Sequence, residues 1–134
     1  MNANPTEINR AAVRATFEQY VQGNREPFLA LVSPDVRWTV IGSTPISGTY
    51  ASLEDFNERA SKAIRGQLAK PLVGSVVDVH ADGDHVILQW KSSSEAKNGT
   101  AYEQSYCWVM RFEDARVVET TAYLDTELVS AILA

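Results

Sequence analysis

An α+β fold, with helices covering one face of a β-meander, is what this chain predicts, on three observations. The first half carries three segments whose apolar residues recur at helical spacing. The second half carries four strand-like runs separated by turn-formers: Asp82-Gly83, Asn98-Gly99 and Glu113-Asp114-Ala115. Between Thr100 and Asp125, two long β-rich runs flank a short polar break, and neither face of the first is plainly polar. Strand side chains alternate, so Gln104, Tyr106, Trp108 and Met110 share one side, while Ser105, Cys107, Val109 and Arg111 share the other. A sheet that is apolar on both sides has to be covered twice, which suggests a pocket-forming domain.

Taken in order, Asn4-Pro5-Thr6-Glu7 reads as a helix start, with Asn4 as cap, Pro5 in the first turn and Glu7 reaching back to the cap amide. Val13, Phe17, Tyr20 and Val21 form the apolar stripe, and Gly23 supplies the stop. A second helix is expected over Arg25 to Val32, ended by Pro34, followed by a strand over Asp35 to Ile41. Gly42 to Gly48 is a loop. Ser52 caps a third helix whose Leu53, Phe56, Ala60, Ile64 and Leu68 line one side before Pro71. Strands are expected at Leu72 to Ala81, Val86 to Ser94, Tyr102 to Phe112 and Val117 to Leu124. No repeat or linker divides residues 1–134, which are read as one domain.

The hydrophobic fraction of 45% and charged fraction of 22% are those of an ordinary globular protein. A net charge of −5 without a basic cluster argues against a nucleic-acid partner, whose binding draws on gathered Lys and Arg. Cys107 is the only cysteine, so an intrachain disulfide and a cysteine metal site are excluded, and the residue is read as buried packing. The stretch Met1 to Glu7 lacks the basic start and apolar run of a leader, and no segment approaches membrane-spanning length; a cytoplasmic protein without a membrane partner is expected. His80 and His85 flank the Asp82-Gly83 turn with Asp78, Asp82 and Asp84 nearby. They are read as a charged, exposed hairpin tip, and neither metal nor cofactor is expected.

Gly23-Asn24, Ser33-Pro34-Asp35-Val36, Gly42 with Pro45-Ile46-Ser47-Gly48, Asn98-Gly99, Val109-Met110-Arg111-Phe112 and Tyr123-Leu124-Asp125, in this order and spacing, resemble the ketosteroid isomerase-like or SnoaL-like superfamily, which shares the nuclear transport factor 2 fold. The resemblance covers almost the whole chain. It implies a cone: a curved mixed or antiparallel sheet wrapped around three N-terminal helices, with an interior pocket. The isomerases' catalytic Tyr falls on Thr16, their oxyanion Asp on Trp108, and their base on Thr39 or Val40, so the Tyr/Asp/Asp set is absent. The Arg, Asp and Asp of the related epoxide hydrolases fall on Gln89, Lys91 and Ala122. Asp125 is the carboxylate that suits a SnoaL-like base; it also precedes Thr126-Glu127-Leu128-Val129 as a helix cap.

If Asn98-Gly99 is a two-residue turn, Lys91 lies opposite Tyr106 and Gln89 opposite Trp108. The resemblance turns the Trp108 face inward. Gln89, Lys91, Tyr106, Trp108 and Met110 would then line the cavity with Trp38 and Val40, and with Thr16 and Phe17 from the first helix. Lys91, Tyr106 and Asp125 are the candidate catalytic residues: Lys91 as a desolvated base or anion holder, Tyr106 as hydrogen-bond donor, Asp125 as base. Leu88, Trp90, Cys107 and Val109 would face outward and support a homodimer. A three-residue turn at Glu113-Asp114-Ala115 turns Thr120, Ala122 and Leu124 inward; a two-residue turn substitutes Thr121, Tyr123 and Asp125. The expected function is a diverged isomerase, cyclase or dehydratase acting on a small apolar or aromatic molecule, or a non-catalytic binding or dimerisation module of the same fold.

Overall fold

The computed structural model describes residues 4–134; Met1 to Ala3, the beginning of the stretch read as lacking a leader, lie outside the described residues. Helix α1 (Pro5–Tyr20) starts as its sequence predicts, with the Asn4 side chain accepting from the Glu7 amide at 2.8 Å and Pro5 in the first turn. The Glu7 carboxylate pairs with Arg10 one turn on. Helix α2 (Glu26–Leu31) passes directly into β1 (Val32–Val40). Pro34 therefore sits inside a strand, where the pairing with the neighbouring strand shifts between Val32 and Arg37, the kind of irregularity that tolerates a missing amide donor.

The segment read as a loop ends in a short strand, β2 (Gly48–Tyr50), antiparallel to β1. Ser52 caps the next helical run through a 3.0 Å bond from the Asp55 amide. That run is α3 (Leu53–Phe56), a π-helical stretch (Asn57–Ser61) and α4 (Lys62–Gly66). The π turn has a reason in the sequence. Phe56, Ala60 and Ile64 are spaced by four, so each step overshoots a full α-helical turn by roughly 40°. A wider turn between them keeps all three facing the sheet.

Strands β3 (Val73–Asp82), β4 (His85–Glu95), β5 (Ala101–Glu113) and β6 (Arg116–Leu124) then form the meander, and α5 (Thr126–Leu133) closes the chain. The six strands make one curved, open sheet in the order β2-β1-β6-β5-β4-β3, parallel only between β1 and β6. Helix α1 lies across β3 and β4, and α3 against β1, so the helices occupy the concave face. Among the described residues no helix is long and apolar enough to cross a membrane.

Two turns decide which side chains look inward. At the β4–β5 hairpin, Ala96 pairs with Thr100: its amide donates to the Thr100 carbonyl at 2.9 Å. The loop is thus three residues, Lys97-Asn98-Gly99, with Gly99 in the left-handed region at φ 88°. Tertiary bonds hold this geometry, from the Lys97 amide to Gln67 O at 2.8 Å and from Asn98 Nδ2 to Ala131 O at 3.0 Å. One extra loop residue reverses the facing of the whole of β4. Leu88 lies opposite Trp108 and Trp90 opposite Tyr106, both buried on the inner face, while Gln89 and Lys91 are exposed on the outer one.

The inward placement expected for Gln89 and Lys91, and the outward one for Leu88 and Trp90, are corrected accordingly. The outer face around Cys107 and Val109 carries Gln89, Lys91 and Ser105 together with Ile87 and Tyr123. The apolar patch invoked for a homodimer therefore loses its two largest members. The physical preference is plain: this register buries a leucine and a tryptophan, and the other would desolvate an ammonium and an amide.

At the β5–β6 hairpin the turn is two residues, Asp114-Ala115, both at positive φ (48° and 64°) as a type I′ turn requires. An extra residue enters β6 as a bulge, because Phe112 pairs with Val117 but Arg111 with Glu119. The bulge restores the parity of a three-residue turn. Thr120 and Ala122 are buried and Leu124 half-buried on the inner side, with Tyr123 exposed outside.

Candidate functional site

Between the concave sheet and the helices lies a cavity of about 560 Å³. Its floor is aromatic because three tryptophans on three strands converge there: Trp38 from β1, Trp90 from β4 and Trp108 from β5. Trp108 packs edge-on against the other two, with ring centroids 5.0 Å from Trp38 and 5.2 Å from Trp90. Tyr106 stacks on Trp90 at 3.8 Å, and Phe56 from α3 stacks on Trp38 at 4.5 Å. Val40, Ala122 and Leu124 complete the sheet side, and Ala60 and Ile64 the helical side. Phe17 backs this floor from α1, touching both Trp90 and Trp108 edge-on at 4.9 and 5.5 Å, and is itself fully buried.

The mouth forms where α1 ends. Gly74 on β3 comes so close to this end that a Cβ there would lie 2.8 Å from Val21 Cγ1 and 3.4 Å from the Trp90 ring. Tyr20, Val21, Arg25, Arg65 and Lys70 border the space on that side. Tyr20 organises them: Arg65 Nη2 donates to its hydroxyl at 3.2 Å, and the Arg25 guanidinium sits 5.3 Å from its ring centroid. Lys70 is engaged by Glu95 at 3.1 Å. Among the described residues, no Asp, Glu or His lines the cavity.

Polar groups gather on the sheet beside Gly74, whose strand partner is Ser92. The Tyr106 hydroxyl shares a 2.8 Å hydrogen bond with Ser92, and Tyr102 lies beside it. Burial, reinforced by Tyr102, pushes the Tyr106 phenol far above the ordinary tyrosine range; burial also raises Tyr102. Both are therefore neutral donors at physiological pH. The sign for stability follows. A folded-state pKa above the unfolded value of about 10 contributes stability that is complete below pH ~10 and is lost as pH climbs toward the folded value, by up to about 1.4 kcal/mol per pH unit. Tyr106→Phe is expected to flatten the alkaline limb of a urea-unfolding profile between about pH 10 and 11.5. An unchanged limb would mean that this phenol ionises freely in the folded protein.

Of the sequence candidates, the fold brings Trp38, Val40, Tyr106 and Trp108 together on the cavity wall. Met110 is fully buried beneath it and Phe17 is core. Thr16 turns its hydroxyl back to Ala12 O at 2.7 Å in its own helix and does not reach the cavity. Lys91 and Gln89 lie on the opposite face. Asp125 is exposed and caps α5, accepting from the Leu128 amide at 3.2 Å. Residues the sequence reading missed are Trp90, Tyr102 and the arginine pair. Trp90 had a usable signal: Val86, Leu88 and Trp90 alternate with Ile87, Gln89 and Lys91, and only the first set is uniformly apolar.

The sequence pattern of the SnoaL-like domain matches residues 13–120. Among curated proteins, no sequence matches the chain. Similar solved structures include Bal32a from a soil-derived mobile gene cassette, with a TM-score of 0.83 at 19% identity over 98% of this chain and 100% of that one. An NTF2-like protein of unknown function from Burkholderia pseudomallei superimposes with a TM-score of 0.77 at 21% identity, covering 94% of this chain and 97% of that one. TerC, co-crystallised with polyporic acid, gives 0.75 at 17% identity, covering 93% and 97%. At these identities the structural likenesses speak to the fold, while the domain match spans most of the sequence. The chain belongs to the SnoaL-like domain family, in the nuclear transport factor 2 fold.

Proposed function

We propose that this protein binds a small, largely apolar or aromatic molecule in the cavity, and acts as a binding module in preference to an acid–base enzyme of isomerase, cyclase or dehydratase type. One observation carries the reading: the cavity has a wall of three tryptophans and Tyr106, with no carboxylate or imidazole along its described lining. Proton transfer at carbon calls for a base of suitable pKa within reach. Of the three residues first considered for catalysis, only Tyr106 meets the cavity, and it is a neutral phenol. Its role in this reading is to donate a hydrogen bond to a ligand oxygen, with Ser92 orienting the hydroxyl. In the same fold, TerC was co-crystallised with polyporic acid, which supports a ligand-holding use of the architecture.

The test is calorimetric titration with 2-naphthaleneethanol, a neutral probe that fits the volume. One-to-one binding with a Kd of about 0.1–1 mM is expected from ordinary ligand efficiencies. Ala122→Phe, which fills the cavity from the sheet side, is expected to weaken binding at least tenfold while the protein remains folded by circular dichroism. Saturable binding that survives the filled cavity would place the ligand elsewhere and sink the reading.

A further inference from the structure

We infer that the ligand is an amphipathic monoanion, whose carboxylate is held at the cavity mouth by Arg25 and Arg65 while its apolar body lies against the tryptophans. This rests on the cavity being the binding site and goes beyond it by assigning the ligand's charge and orientation. The chain is acidic, with 17 Asp and Glu against 12 Lys and Arg, yet every formally charged side chain on the described cavity lining is a cation.

Lys70 is already paired with Glu95. Arg25 and Arg65 have no carboxylate within ion-pair distance among the described residues, a state they share with Arg37 and Arg116, but of these four only Arg25 and Arg65 line the cavity; Arg10, Arg14, Arg59 and Arg111 are paired. Arg25 is half-buried, and its Nε is removed from solvent without a hydrogen-bond partner. A guanidinium in that state has a donor unmet at a cost, and its planar fork is shaped for the two oxygens of a carboxylate.

The two arginines are brought to one place by Tyr20, which offers its ring to Arg25 and its hydroxyl to Arg65. Tyr20 is itself stacked on Phe17 at 4.8 Å, so the cationic mouth is anchored to the aromatic core. Entry of a carboxylate would meet the free guanidinium donors at the rim and leave the hydrocarbon portion over Trp90 and Trp108. A cationic or doubly polar ligand would find no counter-charge there.

The experiment compares 2-naphthylacetate with 2-naphthaleneethanol, of nearly equal size, by calorimetry at low and high salt. The acetate is expected to bind about tenfold tighter at low salt, with the advantage shrinking in about 0.5 M NaCl as the charges are screened. Arg25→Gln and Arg65→Gln should each cut the advantage several-fold, and the double variant should remove it, read in each variant as the ratio of acetate to alcohol affinity. If the alcohol binds and the acetate binds no tighter, or if the advantage survives in the double variant, the inference is overturned while the cavity reading stands. If neither probe binds, both fall.

Discussion

Replacing Trp108 with alanine is expected to destabilise the protein by about 3–5 kcal/mol, lowering the melting temperature by roughly 10–20 °C. The size of the effect follows from position. Trp108 touches Phe17, Phe28, Trp38, Trp90 and Tyr106, so its removal takes a ring contact from five aromatic neighbours at once. Helices α1 and α2 lie above, and strands β4 and β6 to either side; none can close the gap without moving the others. Urea unfolding gives the number, and Lys91→Ala supplies the contrast. Lys91 is exposed on the outer face, so its replacement should stay within about 0.5 kcal/mol. A costly Lys91→Ala would show that the β4 register is wrong, and a mild Trp108→Ala that its ring is not packed in the core.

Gln104→Ala is the second large effect, expected at about 2–4 kcal/mol. Gln104 is 1% exposed and spends its amide on the chain that follows β6. Its Oε1 accepts from the Asp125 amide at 2.8 Å and from Ser105 at 3.0 Å, and its Nε2 donates to the Asp125 carbonyl at 3.1 Å. Deletion leaves the Asp125 amide and carbonyl without these partners at the point where α5 begins. Helix α5 packs Ile132 against Tyr102 and Ala96, closing the end of the sheet, so loosening it also exposes that satellite core. Hydrogen exchange should therefore speed up in Thr126–Leu133 more than in β3. A uniform increase across the sheet would show instead that Gln104 acts only through global stability.

Most of the element order was legible because it rests on local periodicity. Val13 and Phe17 mark the buried stripe of α1, Ser52 and Asp125 cap the helices that follow them, and turn-formers separate the strands at Asp114-Ala115 and at Gly83-Asp84, one residue on from the Asp82-Gly83 expected. The candidate site was legible only in part. Trp38, Val40, Tyr106 and Trp108 were found because the family resemblance turned the Trp108 face inward; strand period groups Tyr106 with Trp108 but does not choose their side. Lys91 and Gln89 were misplaced because the count depended on one residue in a loop, and that loop is set by bonds to Gln67 and Ala131, far away in the chain.

What the chain determined by itself is the α+β layout and the aromatic character of the inner sheet face, since both follow from spacing along a single segment. Tertiary structure alone decided which face of β4 is inner and that Arg25 and Arg65 meet across Tyr20. The reason is physical. Side-chain period is read along one strand or helix, but facing depends on parity summed through turns and bulges, and the meeting of distant cations depends on where two helices end over the same sheet.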